Sequence, residues 1–193
     1  VYGERGKIFD ANDKNLALSI SRYTFWVNTN KTHNKNLISK AFSEIYNKPI
    51  DHYIDKLNKN STYIVLEKNS LYLESSKILE QIASLEGLRY ERENKRFYPY
   101  NNLASHILGY VNLDGKGMYG IEENFNSVLS GDTSTIHLRK GIKGKYHNQN
   151  SNKTKGGHDI YLTIDVVCQK ILQEELEKYF IKTNALAANG IIV

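Results

Sequence analysis

Cysteine is nearly absent from this chain of 193 residues: Cys168 stands alone, which excludes an internal disulfide. Proline is scarce, with only Pro49 and Pro99, and there is one Trp and one Met. No apolar run approaches the roughly 20 residues that cross a bilayer as a helix. The histidines (His33, His52, His106, His137, His147 and His158) are never within five residues of one another, and there is no Cys-x-x-Cys pair. The local spacings typical of zinc sites are therefore missing, and no metal or cofactor is expected. Nucleophile motifs are missing too. There is no Gly-x-Ser-x-Gly turn, no lysine has a serine three residues before it, and Lys-Thr-Gly does not occur.

Neither charge sign dominates. Twenty-six Lys and Arg face 21 Asp and Glu, a net +5. That permits an acidic partner such as nucleic acid, anionic lipid or wall polymer without demanding one. Hydrophobic residues at 40% and charged residues at 24% suit a globular protein. The chain begins at Val1 and closes on Gly190-Ile191-Ile192-Val193, which reads as two cut ends.

The periodicities predict an α+β fold. Lys7 to Asp10 reads as a short strand, Ala11 to Asn15 as a polar turn, and 16–29 as a second strand carrying Tyr23, Phe25, Trp26 and Val27. Leu37, Ile38, Ala41, Phe42 and Ile45 recur at helical spacing over 34–48, and a shorter helix follows through Leu57. Residues 62–67 read as a strand, 71–85 as a helix stopped by Gly87, and 88–98 as a charged, partly exposed strand. A short helix over 101–108 ends at Gly109. Gly115, Gly117 and Gly120 form a turn, and 121–129 is one helix ended by Gly131. The acid-free stretch 139–158 reads as a basic loop or hairpin and a domain junction. Asp165 then caps a helix running to Lys182. Its apolar side includes Val167, Cys168, Ile171, Leu172, Leu176, Tyr179 and Phe180, so Cys168 is expected to be a buried core thiol. Residues 190–193 are expected to begin a buried strand.

Few groups invite chemistry. Gly115-Lys-Gly-Met-Tyr-Gly120 matches Gly-x-Gly-x-x-Gly, but no repeated βαβ pattern surrounds it, and a structural turn is the better account. Glu122/Glu123 and Glu174/Glu175 are adjacent on helices and so diverge. Glu122, at a helix start, is expected to stabilise the helix dipole or to pair with an arginine. The basic 139–158 stretch holds one aromatic residue, Tyr146, and no nucleic-acid motif. Read from its residues alone, the chain is an α+β module without its own active site.

Four segments in order resemble the class B penicillin-binding proteins. Arg5-Gly6-Lys7-Ile8-Phe9-Asp10, ending in Leu16-Ala17, is similar to Arg-Gly-x-Ile-x-Asp-Arg-x-Gly-x-x-Leu-Ala, with Ala11 and Asp13 where Arg and Gly are usual. Arg96-Phe97-Tyr98-Pro99, followed by Ala104, His106 and Gly109, resembles Arg-x-Tyr-Pro-x-Gly with its downstream Ala-x-His-x-x-Gly, and Asn101 stands for the usual Gly. Gly117-Met118-Tyr119-Gly120-Ile121-Glu122, with Phe125-Asn126 and Leu129-Ser130-Gly131, is similar to Gly-x-x-Gly-Ile-Glu and its tail. Leu162-Thr163-Ile164-Asp165 with Gln169 resembles the opening of the penicillin-binding domain, with Cys168 in place of Leu.

The resemblance implies an elongated pedestal, or dimerisation domain, over 1–157. It also implies the first helix and strand of a transpeptidase domain over 158–193, cut before Ser-x-x-Lys would appear. The compact spacing from Arg5 to Leu162 is more similar to the septal, FtsI-like type than to the elongation type. The family implies a peptidoglycan D,D-transpeptidase at the extracytoplasmic, periplasmic face of the inner membrane, held by an N-terminal span outside this chain. The implied partners are its own transpeptidase domain, stem peptides through that domain, and division-machinery membrane proteins: a glycosyltransferase and its activators. Arg5, Gly6, Asp10, Arg96, Tyr98, Pro99, His106, Gly109, Gly117, Gly120, Glu122 and Asp165 would be structural, with Arg5 and Arg96 paired to acids such as Asp10 and Glu122. The rivals are a basic module binding nucleic acid or wall polymer, and the pedestal of a catalytically dead penicillin-binding sensor.

Overall fold

Residues 3–30, 34–132, 138–140, 146–148 and 155–192 are described by the structure, a computed structural model. They form a mixed α/β fold divided into two compact units, 1–19 with 96–193 (unit 1) and 20–95 (unit 2). The chain passes from unit 1 to unit 2 inside one strand, β2 (Asn15–Asn28), and returns inside another, β4 (Leu88–Phe97). No loop, proline or glycine marks either crossing.

Unit 2 is a sheet covered by helices. β3 (Tyr63–Leu71) runs antiparallel to β2, and β4 also pairs with β2. Alternation puts Tyr23, Phe25 and Val27 of β2 on the buried face. Against it pack α1 (Lys35–Tyr46), α2 (Ile50–Leu57) and α3 (Tyr72–Gln81), through Ile38, Phe42, Tyr53, Leu57 and Ile78. Asn34 caps α1 by accepting the Leu37 N–H, and Asn47 ends it in a left-handed conformation. The helix expected to Leu85 stops at Gln81, and hydrogen-bonded turns carry the chain to Gly87 at φ 84°. β4 exposes seven consecutive residues from Arg89 to Lys95.

Unit 1 is built on β1 (Ile8–Phe9), antiparallel to β2 and parallel to β7 (Ile160–Tyr161). Its core is smaller: Ile8, Leu16, Ala17, Leu103, Ala104, Leu108, Leu129 and Val166. The helices are α4 (Ser105–Leu108), α5 (Gly120–Asn124), α6 (Asn126–Leu129) and α7 (Val166–Thr183). The single helix expected over 121–129 is thus two short ones, broken at Phe125, whose φ of −104° and ψ of 21° leave helical geometry. In the basic stretch, β5 (Leu138–Lys140) and β6 (Tyr146–Asn148) pair antiparallel, as a hairpin would. The rest of 139–154 lies outside the described residues.

Two expectations for the C-terminal segment are corrected. Cys168 is exposed, as are Val167, Ile171, Tyr179 and Phe180. Val166 is the buried residue of α7; on the side that carries Cys168, Leu172 and Leu176 are half-buried against Gly190, and this cover does not reach Cys168. Residues 190–192 do not form a strand: Ile191 is 87% exposed, and the segment pairs with none of the described strands.

Candidate functional site

Unit 1 is organised around a buried carboxylate. Glu122 lies in the first turn of α5 with no solvent exposure. The Arg5 Nε donates to its Oε2 at 2.7 Å, and the Arg96 Nε donates to its Oε1 at 2.7 Å. Both guanidinium groups are enclosed, at 8% and 2% exposure. The expected arginine pairing therefore falls on one acid, Glu122, shared by Arg5 and Arg96. Asp10 pairs with neither arginine.

Each guanidinium also reaches backbone. Arg5 donates through Nη2 to the Glu122 carbonyl at 2.8 Å, and through Nη1 to Gly115 O, Asn126 Oδ1 and Ser130 Oγ. Arg96 Nη1 donates to Gly6 O at 2.7 Å. The Tyr98 hydroxyl faces Glu122 Oε1 at 3.4 Å, and burial beside that carboxylate pushes the phenol up to about 12. Removing a charge from such a site leaves the others unpaired away from water, which costs several kcal/mol.

The glycines admit these contacts. Gly109 has φ 75°, and a Cβ there would strike the Tyr119 carbonyl. Gly117 donates its N–H to Asn126 Oδ1 at 2.9 Å, and a Cβ would meet the Glu122 carbonyl. Gly120 opens α5. Pro99 follows β4 into turns over 98–104. His106 is exposed on α4 and takes no part in the cluster.

A second polar cluster holds the start of α7. The Asp165 Oδ1 accepts the N–H groups of Val167 and Cys168, and Oδ2 accepts from Asn12 Nδ2. Asp10, fully buried, accepts Val166 N–H on Oδ2 and the N–H groups of Asn12 and Lys14 on Oδ1. Three N–H groups that a helix leaves unsatisfied are thus met by two aspartates 155 positions apart in sequence. Burial pushes the Asp10 carboxyl up, but the N–H groups of Lys14, Val166 and Asn12 outweigh it and hold the group below the usual carboxylate range. The Cys168 and Val167 N–H groups hold Asp165 down in the same direction.

Both departures from the glycine pattern have a backbone reason. Asp13 sits at φ 61° and Asn101 at φ 53°, the left-handed region that glycine favours and that Asp and Asn tolerate best among other residues. The residue reading missed Asn126, which joins Arg5 to Gly117; its position in Phe125-Asn126 of the third motif was the available signal.

The carboxylates of the two clusters are spent on arginines and backbone N–H groups. Among the described residues no group of three or more His, Cys, Asp or Glu is placed to hold a metal ion, and no helix is long and apolar enough to cross a membrane.

Comparison with known proteins gives this architecture its context. The chain is 26% identical over its whole length to the peptidoglycan D,D-transpeptidase FtsI of Escherichia coli, 31% identical over 91% of its length to FtsI of Buchnera aphidicola, and 27% identical over 90% to stage V sporulation protein D of Bacillus subtilis. It spans about a third of each: 34%, 32% and 28%. Among solved structures, penicillin-binding protein 2X of Streptococcus thermophilus shares the fold over 94% of this chain and 31% of its own, with a TM-score of 0.73 at 18% identity. A complex between penicillin-binding protein 2 and MreC from Helicobacter pylori contains a similar fold over 92% of this chain and 38% of that one, with a TM-score of 0.60 at 21% identity. The family model for the penicillin-binding protein dimerisation domain matches residues 1–162, which take in the Glu122 cluster and Asp10 and stop before Asp165, and the chain belongs to that family.

Proposed function

We propose that this chain is the non-catalytic pedestal of a peptidoglycan D,D-transpeptidase of the septal type, with 1–157 as the pedestal and 158–193 as the entry to the transpeptidase domain. The observation that supports it most is the use of the buried charge. Glu122, Arg5 and Arg96 tie together three segments that are separate in sequence, and the buried carboxylate is taken up by the two arginines. Such a cluster fixes shape. In the parent protein a serine beyond these residues attacks the D-Ala-D-Ala end of a stem peptide, releases the terminal D-Ala, and passes the acyl group to a neighbouring stem. The chain's task is to carry that domain away from the membrane, at the periplasmic face, below an N-terminal span. Its partners are division-machinery membrane proteins, a glycosyltransferase and its activators, and not nucleic acid. Arg5, Gly6, Asp10, Arg96, Tyr98, Pro99, Gly109, Gly117, Gly120, Glu122 and Asp165 serve this role by holding turns and crossings, and His106 serves it from the surface.

The test is labelling with a fluorescent penicillin, on this chain and on the natural polypeptide that contains it. Label on the longer form alone is the expected result. Label on neither favours the pedestal of a dead sensor, and label on the 193-residue chain itself overturns the reading.

A further inference from the structure

Unit 2 carries an open groove of about 520 Å³ that its own core does not explain. The groove begins in the register of the sheet. β3 stops opposite Arg22, where Leu71 passes into α3, while β2 continues to Ser21 and Ile20. At that passage Leu71, Tyr72 and Leu73 are 46%, 60% and 81% exposed. α3 packs on the core through Ser75 and Ile78 instead. Consecutive helical residues point about 100° apart, so no single buried stripe accounts for all three. Large apolar side chains held in the open beside a groove mark a contact surface. Tyr23 lines the groove too, and its ring lies 6.2 Å from that of Tyr72.

One lining residue is charged. The Arg92 Nε donates to Ser21 Oγ at 3.0 Å, which fixes the side chain, and among the described residues no carboxylate lies within 4.0 Å of it. Apolar walls with one oriented, unpaired guanidinium have the composition of a protein-binding hot spot.

We propose that this groove docks a short segment of a partner protein in which a carboxylate is flanked by large apolar side chains. The inference deepens the pedestal reading, since a scaffold acts through what it binds. A second copy of this chain is the poorer occupant. Each copy carries a net charge of +5, and two-fold pairing through the groove places the same Arg92 on both sides of the interface.

The probe is a phage-displayed library of random dodecapeptides, selected on the 193-residue chain and in parallel on Leu73→Asp and Arg92→Glu. Both positions are exposed, and circular dichroism checks that the variants fold. Selected peptides should carry Asp or Glu beside Leu, Phe or Trp. Their synthetic forms should lose at least tenfold in affinity for Leu73→Asp, and selection on Arg92→Glu should turn to Lys and Arg. The proposal fails if nothing is enriched, if the peptides carry no acid, or if affinity ignores both substitutions. It fails too if sedimentation shows a dimer that Leu73→Asp dissociates, which assigns the groove to a second copy. Penicillin labelling of the longer polypeptide does not involve this groove, so the two readings fail separately.

Discussion

Around Phe42 in unit 2 the buried contacts are between carbon atoms: Phe25 meets its ring edge-on at 5.6 Å and Tyr53 at 5.5 Å, with Ile38, Leu57 and Ile78 beside them. Around Glu122 in unit 1 the buried contacts are ionic, and the neighbouring apolar cluster includes two alanines and no phenylalanine. The difference teaches what each unit resists. An apolar core tolerates small changes of shape, because its attraction is spread over many weak contacts. A shared carboxylate tolerates almost none, because each charge depends on the other two being present.

The sharpest way to break the comparison is to remove Glu122. Glu122→Ala leaves two enclosed guanidinium groups without a counter-charge and should cost roughly 3–5 kcal/mol, a large part of a domain's stability. Arg96→Ala should cost less, because Glu122 keeps Arg5. Trp26 is the one tryptophan and lies in unit 2, so its fluorescence follows that unit. Hydrogen exchange of residues 96–132 follows unit 1. In Glu122→Ala, exchange across 96–132 should accelerate sharply while the Trp26 unfolding midpoint moves little. Equal shifts in both would mean that the units do not fail separately.

Asp10 makes the same contrast depend on pH. Its carboxyl is held below the usual range in the folded protein, so the stability it supplies is present above the unfolded value, near 3.9, and is lost as pH falls through the folded one. Asp10→Asn weakens three N–H contacts and should cost about 1–3 kcal/mol at pH 7. Urea midpoints of the native chain and the variant should draw together as pH falls below that unfolded value and through the lower folded one. A gap that persists unchanged into that acid range would show that ionisation is not what Asp10 contributes.

Ile38→Val probes the other side. Ile38 is fully buried in unit 2, and losing one methylene there should cost roughly 0.5–1.5 kcal/mol. Urea unfolding read by Trp26 measures it directly. A loss as large as that of Glu122→Ala would remove the contrast between the two units.

Much of this organisation was legible in the residues, because periodicity and caps are local. The stripe from Leu37 to Ile45 predicted α1, and Asp165 predicted the start of α7. An arginine partner for Glu122 was also foreseeable. That both arginines share it depends on contacts 26 and 117 positions apart, and that Asp10 reaches the start of α7 on one 156 positions apart, which no local pattern carries. The two-unit division left no trace because the chain crosses inside strands, whereas domain boundaries are ordinarily read from linkers. The groove had a faint signal in Leu71-Tyr72-Leu73, three large apolar residues that one helical stripe cannot bury together.

The smallest expected effect concerns Cys168. Helical spacing put it on an apolar side, and that pattern is real: Cys168, Leu172, Leu176 and Phe180 follow one another at intervals of four. What burial needs in addition is something to cover it, and in this chain the thiol is exposed. Cys168→Ser should therefore change stability by less than about 0.5 kcal/mol, and a thiol reagent should modify Cys168 in the folded chain as fast as it modifies a free cysteine. If 158–193 is the entry to a larger domain, the same thiol should become protected in the natural polypeptide that contains it. Equal labelling rates in both forms would mean that α7 keeps this face open and that the proposed boundary near residue 157 is misplaced. Protection in the longer form would show that the apolar pattern of α7 was written for a neighbour outside these 193 residues.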